Sequence, residues 1–503
     1  MGRWSSRPNL KSIIVQKTIF SLFCLVFLVC NQTVAQDATV EIHSETIIND
    51  HYIGNGAQWD PYQLDYGEVK LEISDEDWEK LYDRLDFMRP QLMRVVINIG
   101  SYVQDGKLRP DADGGQLLNI LNYCNENGIT VLFGDWGWDL INGDDKTLNK
   151  ENIAYAARLA DYLINEEGFD ESLKYFNIIN EPNGYWASTE GSYELWSSAA
   201  KYLHEQFEEV GISDQISIVG PDVAIWTPEE NWWIDSTATD LGEAVGLYDI
   251  HTYPSKVTVN SGEFYEIVKS YKDRVPNGKK IVMGEIGFKF VEDADSLLNQ
   301  ENVRRAEAKE YASVGDSQMF VYDNIYGTDM ADALFQTVNA GYSGSVVWML
   351  DDAMYSLEEP HKLKVWGFWN IFGEEYFGAE EENVRPWYYA WSLLSKYMPA
   401  GSRIFEVTTD GDENIKAIAL QKGDHHMIAL VNVGNESRSV QLRSDKLGVK
   451  SNMKKFIYSE GTLKKRGDHQ IVPNSEDLNL DFGKGISVEM PSESLIVYTN
   501  FSY

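Results

Sequence analysis

Between residues 50 and 400 the chain alternates short, β-rich apolar runs with amphipathic helical stretches, eight times over. No other feature narrows the fold as much. The runs are Tyr52–Trp59, Leu92–Asn98, Ile129–Asp135, Tyr175–Ile179, Ile216–Val219, Leu247–His251, Lys280–Glu285 and Ser345–Leu350. Stretches such as Val131-Leu132-Phe133 and Val346-Val347-Trp348 have no polar face, as suits parallel strands covered on both sides. The helices between them have readable ends. Ser74 precedes three acids and then Trp78, Leu81, Leu85 and Met88 at helical spacing. Asn149 opens a second stripe of Ile153, Ala157, Ala160 and Ile164 that stops at Gly168. Eight strand–helix units over about 350 residues predict an α/β fold, a (β/α)8 TIM barrel at 50–400.

After Met398-Pro399 the pattern changes to short alternating strands separated by turns such as Asp410-Gly411-Asp412. The runs Ile415–Gln421, Met427–Val433, Ser439–Arg443, Lys454–Tyr458, Ile486–Met490 and Ser494–Thr499 predict an antiparallel β-sandwich at 401–503. The strand-like segment 39–48 precedes the barrel and is a candidate to join that sandwich. His425-His426 are placed on a turn.

The N-terminus combines Arg3, Arg7, Lys11 and Lys17 with an apolar run from Ile19 to Cys30 and small residues before Gln36. That is the pattern of a cleavable signal peptide over 1–35, cut after Ala35, and it predicts a secreted or periplasmic protein. The apolar run is shorter than the roughly 20 residues a membrane span needs, so no stable membrane insertion is expected. Past the leader only Cys124 remains, which rules out an internal disulfide in the mature chain. The net charge of −36 excludes nucleic acid and anionic membranes as partners. Metal-ligand and nucleotide-binding motifs are missing from the sequence, so neither a metal nor a cofactor is expected, and no feature specifies an oligomeric state.

The informative polar residues stand where barrel strands end, the end at which barrel active sites are built. The fourth strand runs into Asn180-Glu181-Pro182, and the seventh, Ile281-Val282-Met283-Gly284, ends on Glu285. Two carboxylates on opposite sides of one cavity are what glycosidic cleavage requires: one protonates the leaving oxygen, the other attacks or activates water. Asn-Glu-Pro arises by chance only about 0.06 times in a chain of this length. Arg94 lies inside an apolar strand, where an unpaired cation is costly, so a carboxylate partner is expected.

These residues resemble clan A of the retaining glycoside hydrolases, families 5, 30 and 39 among them, over about residues 50–400. The strand-rich tail is similar to the side domain of families 30 and 39. The resemblance implies Glu181 as acid/base, Glu285 as nucleophile and Asn180 as the partner of the sugar 2-hydroxyl. It further implies Arg94 beside the nucleophile, His251 and Tyr253 as the sixth-strand pair, and Trp348 as the eighth-strand aromatic. Trp136, Trp138 and Trp186 are candidates for stacking on sugar C–H faces, and Asp135 for a subsite. Asp351-Asp352 either bind hydroxyls or face water. The function expected is a secreted retaining β-glycosidase acting on a poly- or oligosaccharide; the alternative is a carbohydrate-binding protein on an inactive barrel.

Overall fold

The computed structural model describes residues 37–503 except 63, 67–68, 144, 291–294, 353–358 and 360–361. The expected leader at 1–35 lies outside the described residues. Eight parallel strands form one sheet in chain order: Gly54–Ala57, Leu92–Ile97, Thr130–Asp135, Leu173–Asn177, Ser217–Ala224, Val245–Thr252, Ile281–Ile286 and Gly344–Val347. The first and eighth strands pair directly. A bridge between Gln58 and Arg94, with Trp59 N–H donating to the Arg94 carbonyl at 2.8 Å, joins the first strand to the second and closes the barrel. The first strand is shorter than the run Tyr52–Trp59 because only Gly54–Ala57 pair regularly with the eighth.

The barrel interior is layered by the two-residue period of its strands. Leu92, Leu132, Val219, Leu247, Val282 and Val346 pack together as an apolar floor. Two residues further along four of the strands stand Arg94, Asp249, Gly284 and Trp348, and the interior turns polar as it approaches the strand ends. Outside the barrel the helices seat their apolar stripes on the sheet. Helix Asp75–Met88 begins with a full capping box between Ser74 and Asp77 and buries Trp78, Leu81, Leu85 and Met88. Full burial of each leucine contributes about 2–3 kcal/mol. The stripe from Asn149 is α-helical over Lys150–Asp161 and widens into a π turn at Tyr162–Glu166 before Gly168, at φ +78°, reverses the chain.

The tail forms a nine-stranded sheet that folds around its own apolar core, including Val40, Phe405, Ile428, Leu442 and Ile496. The segment Ala38–Asn49 is part of it, antiparallel to Arg403–Asp410 and parallel to Arg438–Arg443. His425 and His426 do not sit on the turn expected for them. They open the strand His425–Asn432, and Gly423, at φ +58°, forms the turn instead. Barrel helix Asn324–Asn339 docks on this domain. Tyr458 Oη donates to the Asn324 carbonyl at 2.6 Å, and Lys416 pairs with the buried Asp332 at 3.0 Å. Gly327 permits that approach, since a Cβ there would lie 2.4 Å from the Tyr458 hydroxyl.

Candidate active site

Irregularities in three strand ends assemble the site. In the seventh strand Met283 pairs with Ile250 and Glu285 with His251, so Gly284 is an extra residue that turns Glu285 toward the barrel axis. Only glycine fits there: a Cβ would lie 2.7 Å from Asp249 Oδ2 and 3.1 Å from His251 Nε2. In the fifth strand Asp222 is the extra residue, between Pro221, paired with Asp249, and Val223, paired with Ile250. Asp222 (φ +59°) and Glu181 (φ +46°) both hold left-handed backbone conformations that cost such residues roughly 1–3 kcal/mol each. Both strained residues are ones whose carboxylates enter the cavity.

Arg94, fully buried, is the hub. Nη1 donates to Glu285 Oε2 at 2.8 Å and to Gln58 Oε1 at 2.5 Å, and Nη2 donates to Asn180 Oδ1 at 2.7 Å. Asp222 Oδ2 lies 3.2 Å from Nη2 and also accepts from Asn177 Nδ2 at 2.7 Å. Tyr253 Oη donates to Glu285 Oε1. His251 lies between the carboxylates, with Nε2 2.8 Å from Asp222 Oδ1 and Nδ1 3.4 Å from Glu181 Oε1 and 3.8 Å from Glu285 Oε2. Trp186 Nε1 donates to the other oxygen of Glu181 at 2.7 Å. Glu181, His251 and Glu285 each present an atom within 4.8 Å of the others.

The charges follow from these contacts. Desolvation opposes the His251 cation, but Asp222 and Glu285 outweigh it and raise the imidazole to about 10, so the ring is charged at neutral pH. Asp222 is buried, yet the charges of His251 and Arg94 hold it well below the usual carboxylate range. Its neighbour Asp249 is pushed well up by burial and by Asp222. Burial raises Glu285 against the pull of His251, Arg94 and the Tyr253 hydroxyl. Burial acts the same way on Glu181, but the hydrogen bond and charge of His251 reverse it and leave Glu181 lowered. The two glutamates titrate as a pair.

Trp348, Tyr253, Met349 and Trp366 pack as one buried group, with Trp136 against it. The Trp136 and Trp348 rings meet edge to face at 6.3 Å. Trp186 is 37% exposed and meets Trp226, 42% exposed, edge to face at 6.2 Å, giving an aromatic surface beside Glu181. Trp138 is exposed. Asp135 does not line a subsite: it is fully buried and accepts the Ile99 and Gly137 N–H groups, each at 2.7 Å. Asp351 and Asp352 do not face water either. Asp352 is ion-paired with the buried Arg385 and accepts from the Trp366 and Gly367 N–H groups, while Asp351 accepts from Ile371 N–H.

Sequence reasoning missed Asp222, Asp249, Gln58 and Trp366. Two of them had a signal. Asp222 follows the fifth apolar run just as Glu285 follows Gly284, and Asp249 precedes His251 by the two-residue period that puts both on one face. Gln58 falls within the run Tyr52–Trp59 but past the regular strand Gly54–Ala57, and Trp366 comes from a segment outside any strand, where no periodicity points inward.

No family model and no curated protein matches the chain. Solved structures do. A glycoside hydrolase family 30 subfamily 8 xylanase from Clostridium acetobutylicum superposes with a TM-score of 0.60 at 14% identity, over 92% of this chain and 99% of that chain. A conserved exported protein from Bacteroides fragilis gives 0.64 at 15% identity, over 92% and 100%. A family 39 β-xylosidase from Caulobacter crescentus gives 0.57 at 14%, over 92% and 99%. The fold is therefore that of the clan A glycoside hydrolases, a TIM barrel carrying a β-sandwich.

Proposed function

We propose that the protein is an exported, retaining β-glycoside hydrolase in which residues 50–400 carry the reaction and 401–503, joined by Ala38–Asn49, form a side domain. The observation that carries this reading is the spacing of Glu181 and Glu285 at the ends of the fourth and seventh strands, with an oxygen of each within 4.8 Å of the other. Retaining enzymes hold their carboxyls about 5–5.5 Å apart; inverting ones leave roughly 6.5–9.5 Å for a water. The shared fold with a xylanase and a β-xylosidase supports a carbohydrate substrate. Among the described residues no helix is long and apolar enough to cross a membrane.

In the first step Glu285 attacks the anomeric carbon while Glu181 gives its proton to the departing glycosidic oxygen. The bond from carbon to that oxygen breaks, and a glycosyl ester on Glu285 forms. In the second step Glu181, now ionised, takes a proton from water as the water oxygen attacks the same carbon and frees Glu285. Two displacements leave the β configuration in the product. Arg94 and Tyr253 orient the nucleophile. Asn180, its oxygen held by Arg94, turns its amide N–H groups to the sugar 2-hydroxyl. Trp136 and Trp348 wall the sugar, and Trp186 with Trp226 stacks the leaving group. The test is hydrolysis of a panel of β-linked glycans with the product anomer followed by NMR. Initial release of the β-anomer is expected; release of the α-anomer, or binding without turnover, overturns the reading.

His251 sets the alkaline limit. Its charge holds Glu181 low, and the acid function is lost as pH rises through the Glu181 pKa. In His251→Asn that pKa rises, and the alkaline limb of kcat/KM is expected to move up by about one pH unit. A limb that stays put or moves down removes His251 from this role. His251 is itself raised from 6.5 to about 10, so its pairing stabilises the fold fully below about pH 6.5 and that contribution is lost as pH rises toward 10. The melting-temperature deficit of the variant should accordingly shrink from pH 6 to pH 10.

A further inference from the structure

Building on the glycosidase reading, we infer that the nucleophile side of the cavity receives a sugar bearing an anionic substituent, a carboxylate or a sulfate ester, bound between Lys289 and Lys364. Lys289 stands four residues beyond Glu285, and Lys364 lies on the segment after the eighth strand. Their ammonium groups lie over the two rings that wall the site: Lys289 Nζ is 5.1 Å from the centre of Tyr253, whose hydroxyl binds Glu285, and Lys364 Nζ is 5.5 Å from that of Trp348. Cation–π contact of this kind aims a lysine without neutralising it.

Among the described residues the charge balance leaves one cation over. Both lysines face the same acid, Asp316, at 3.9 Å from Lys289 and 3.1 Å from Lys364. Asp316 is itself fixed, since its carbonyl accepts from Trp366 Nε1 at 2.7 Å. The catalytic pair does not use the spare charge, because Glu285 draws its stabilising cations from His251 and Arg94. Among the described residues Lys289 makes only the longer contact, and its side chain is 43% exposed, which leaves its N–H groups open to an incoming anion. Carboxylate and sulfate offer the same chemistry here, oxygen acceptors for two ammonium groups. The chain as a whole, at −36, repels polyanions, so attraction to one has to come from a local site.

The full-length protein is run by affinity electrophoresis through gels holding matched glycans: hyaluronan against its carboxyl-reduced form, and carrageenan against its desulfated form. Retardation at least threefold greater in one native polymer than in its neutral counterpart is expected. The pair that responds tells carboxylate from sulfate. The double variant Lys289→Gln/Lys364→Gln should lose the difference, and so should the parent in 0.5 M salt. Equal mobility in both pairs, or a double variant retarded as strongly as the parent, overturns the inference. Binding is read without turnover, so failure of the glycosidase reading shows separately, as selective retardation with no cleavage of any glycan.

Discussion

Replacing Glu285 with glutamine removes turnover of every substrate, a loss of roughly 10⁴- to 10⁶-fold in kcat, because no covalent intermediate forms without a carboxylate. The substitution keeps shape and an oxygen for Arg94 Nη1, so the buried guanidinium retains a neighbour and also keeps its contact with Asp222. The fold should therefore survive, and circular dichroism checks that it does. A 2-deoxy-2-fluoro glycoside should add its glycosyl mass to the parent on the peptide holding Glu285 and add nothing to Glu285→Gln. An adduct on another residue, or a variant within about tenfold of the parent rate, would sink the nucleophile assignment.

Glu181→Ala should behave differently, and the difference is diagnostic. Substrates with poor leaving groups need protonation and should slow by roughly 10²- to 10⁴-fold, whereas activated aryl glycosides should still form the intermediate. Breakdown then lacks a base and accumulates glycosyl-enzyme. Azide needs no base, enters the space vacated by Glu181 and should restore the rate with a β-glycosyl azide as product. An α-azide, or rescue of Glu285→Ala alone, would exchange the two roles. One further contact supports the proposed roles. Trp186, on the exposed aromatic surface with Trp226, donates to Glu181, so Glu181 lies on the side open to the leaving group, while Glu285 is clamped by Arg94 and Tyr253.

Much of this site is legible in the chain because strand ends converge in a barrel, so polar residues just past apolar runs meet in space. Glu181 and Glu285, 104 residues apart, were placed together on that ground, Arg94 by the cost of an unpaired cation inside an apolar strand, and His251 and Tyr253 through the resemblance to clan A. The same rule reaches Asp222, yet Val219-Gly220-Pro221-Asp222 reads locally as a turn, and turn residues are usually solvated. Asp351 and Asp352 read the opposite way. As an acidic pair after a strand they look exposed, whereas Arg385, more than thirty residues on, folds back to pair with Asp352.

By itself, then, the sequence determined the class of architecture and the meeting of Glu181 with Glu285 in one cavity, since both rest on periodicity and on residue type at strand ends, which are local properties. Tertiary structure decided how the charges are arranged. The bulge at Gly284 that turns Glu285 inward, the left-handed Asp222 beneath Arg94 and His251, and the meeting of Lys289, Lys364 and Asp316 over the site rings all depend on contacts between distant segments. The physical reason is that a charge's state is set by what lies within a few ångströms of it, and in a closed barrel those neighbours come from every strand.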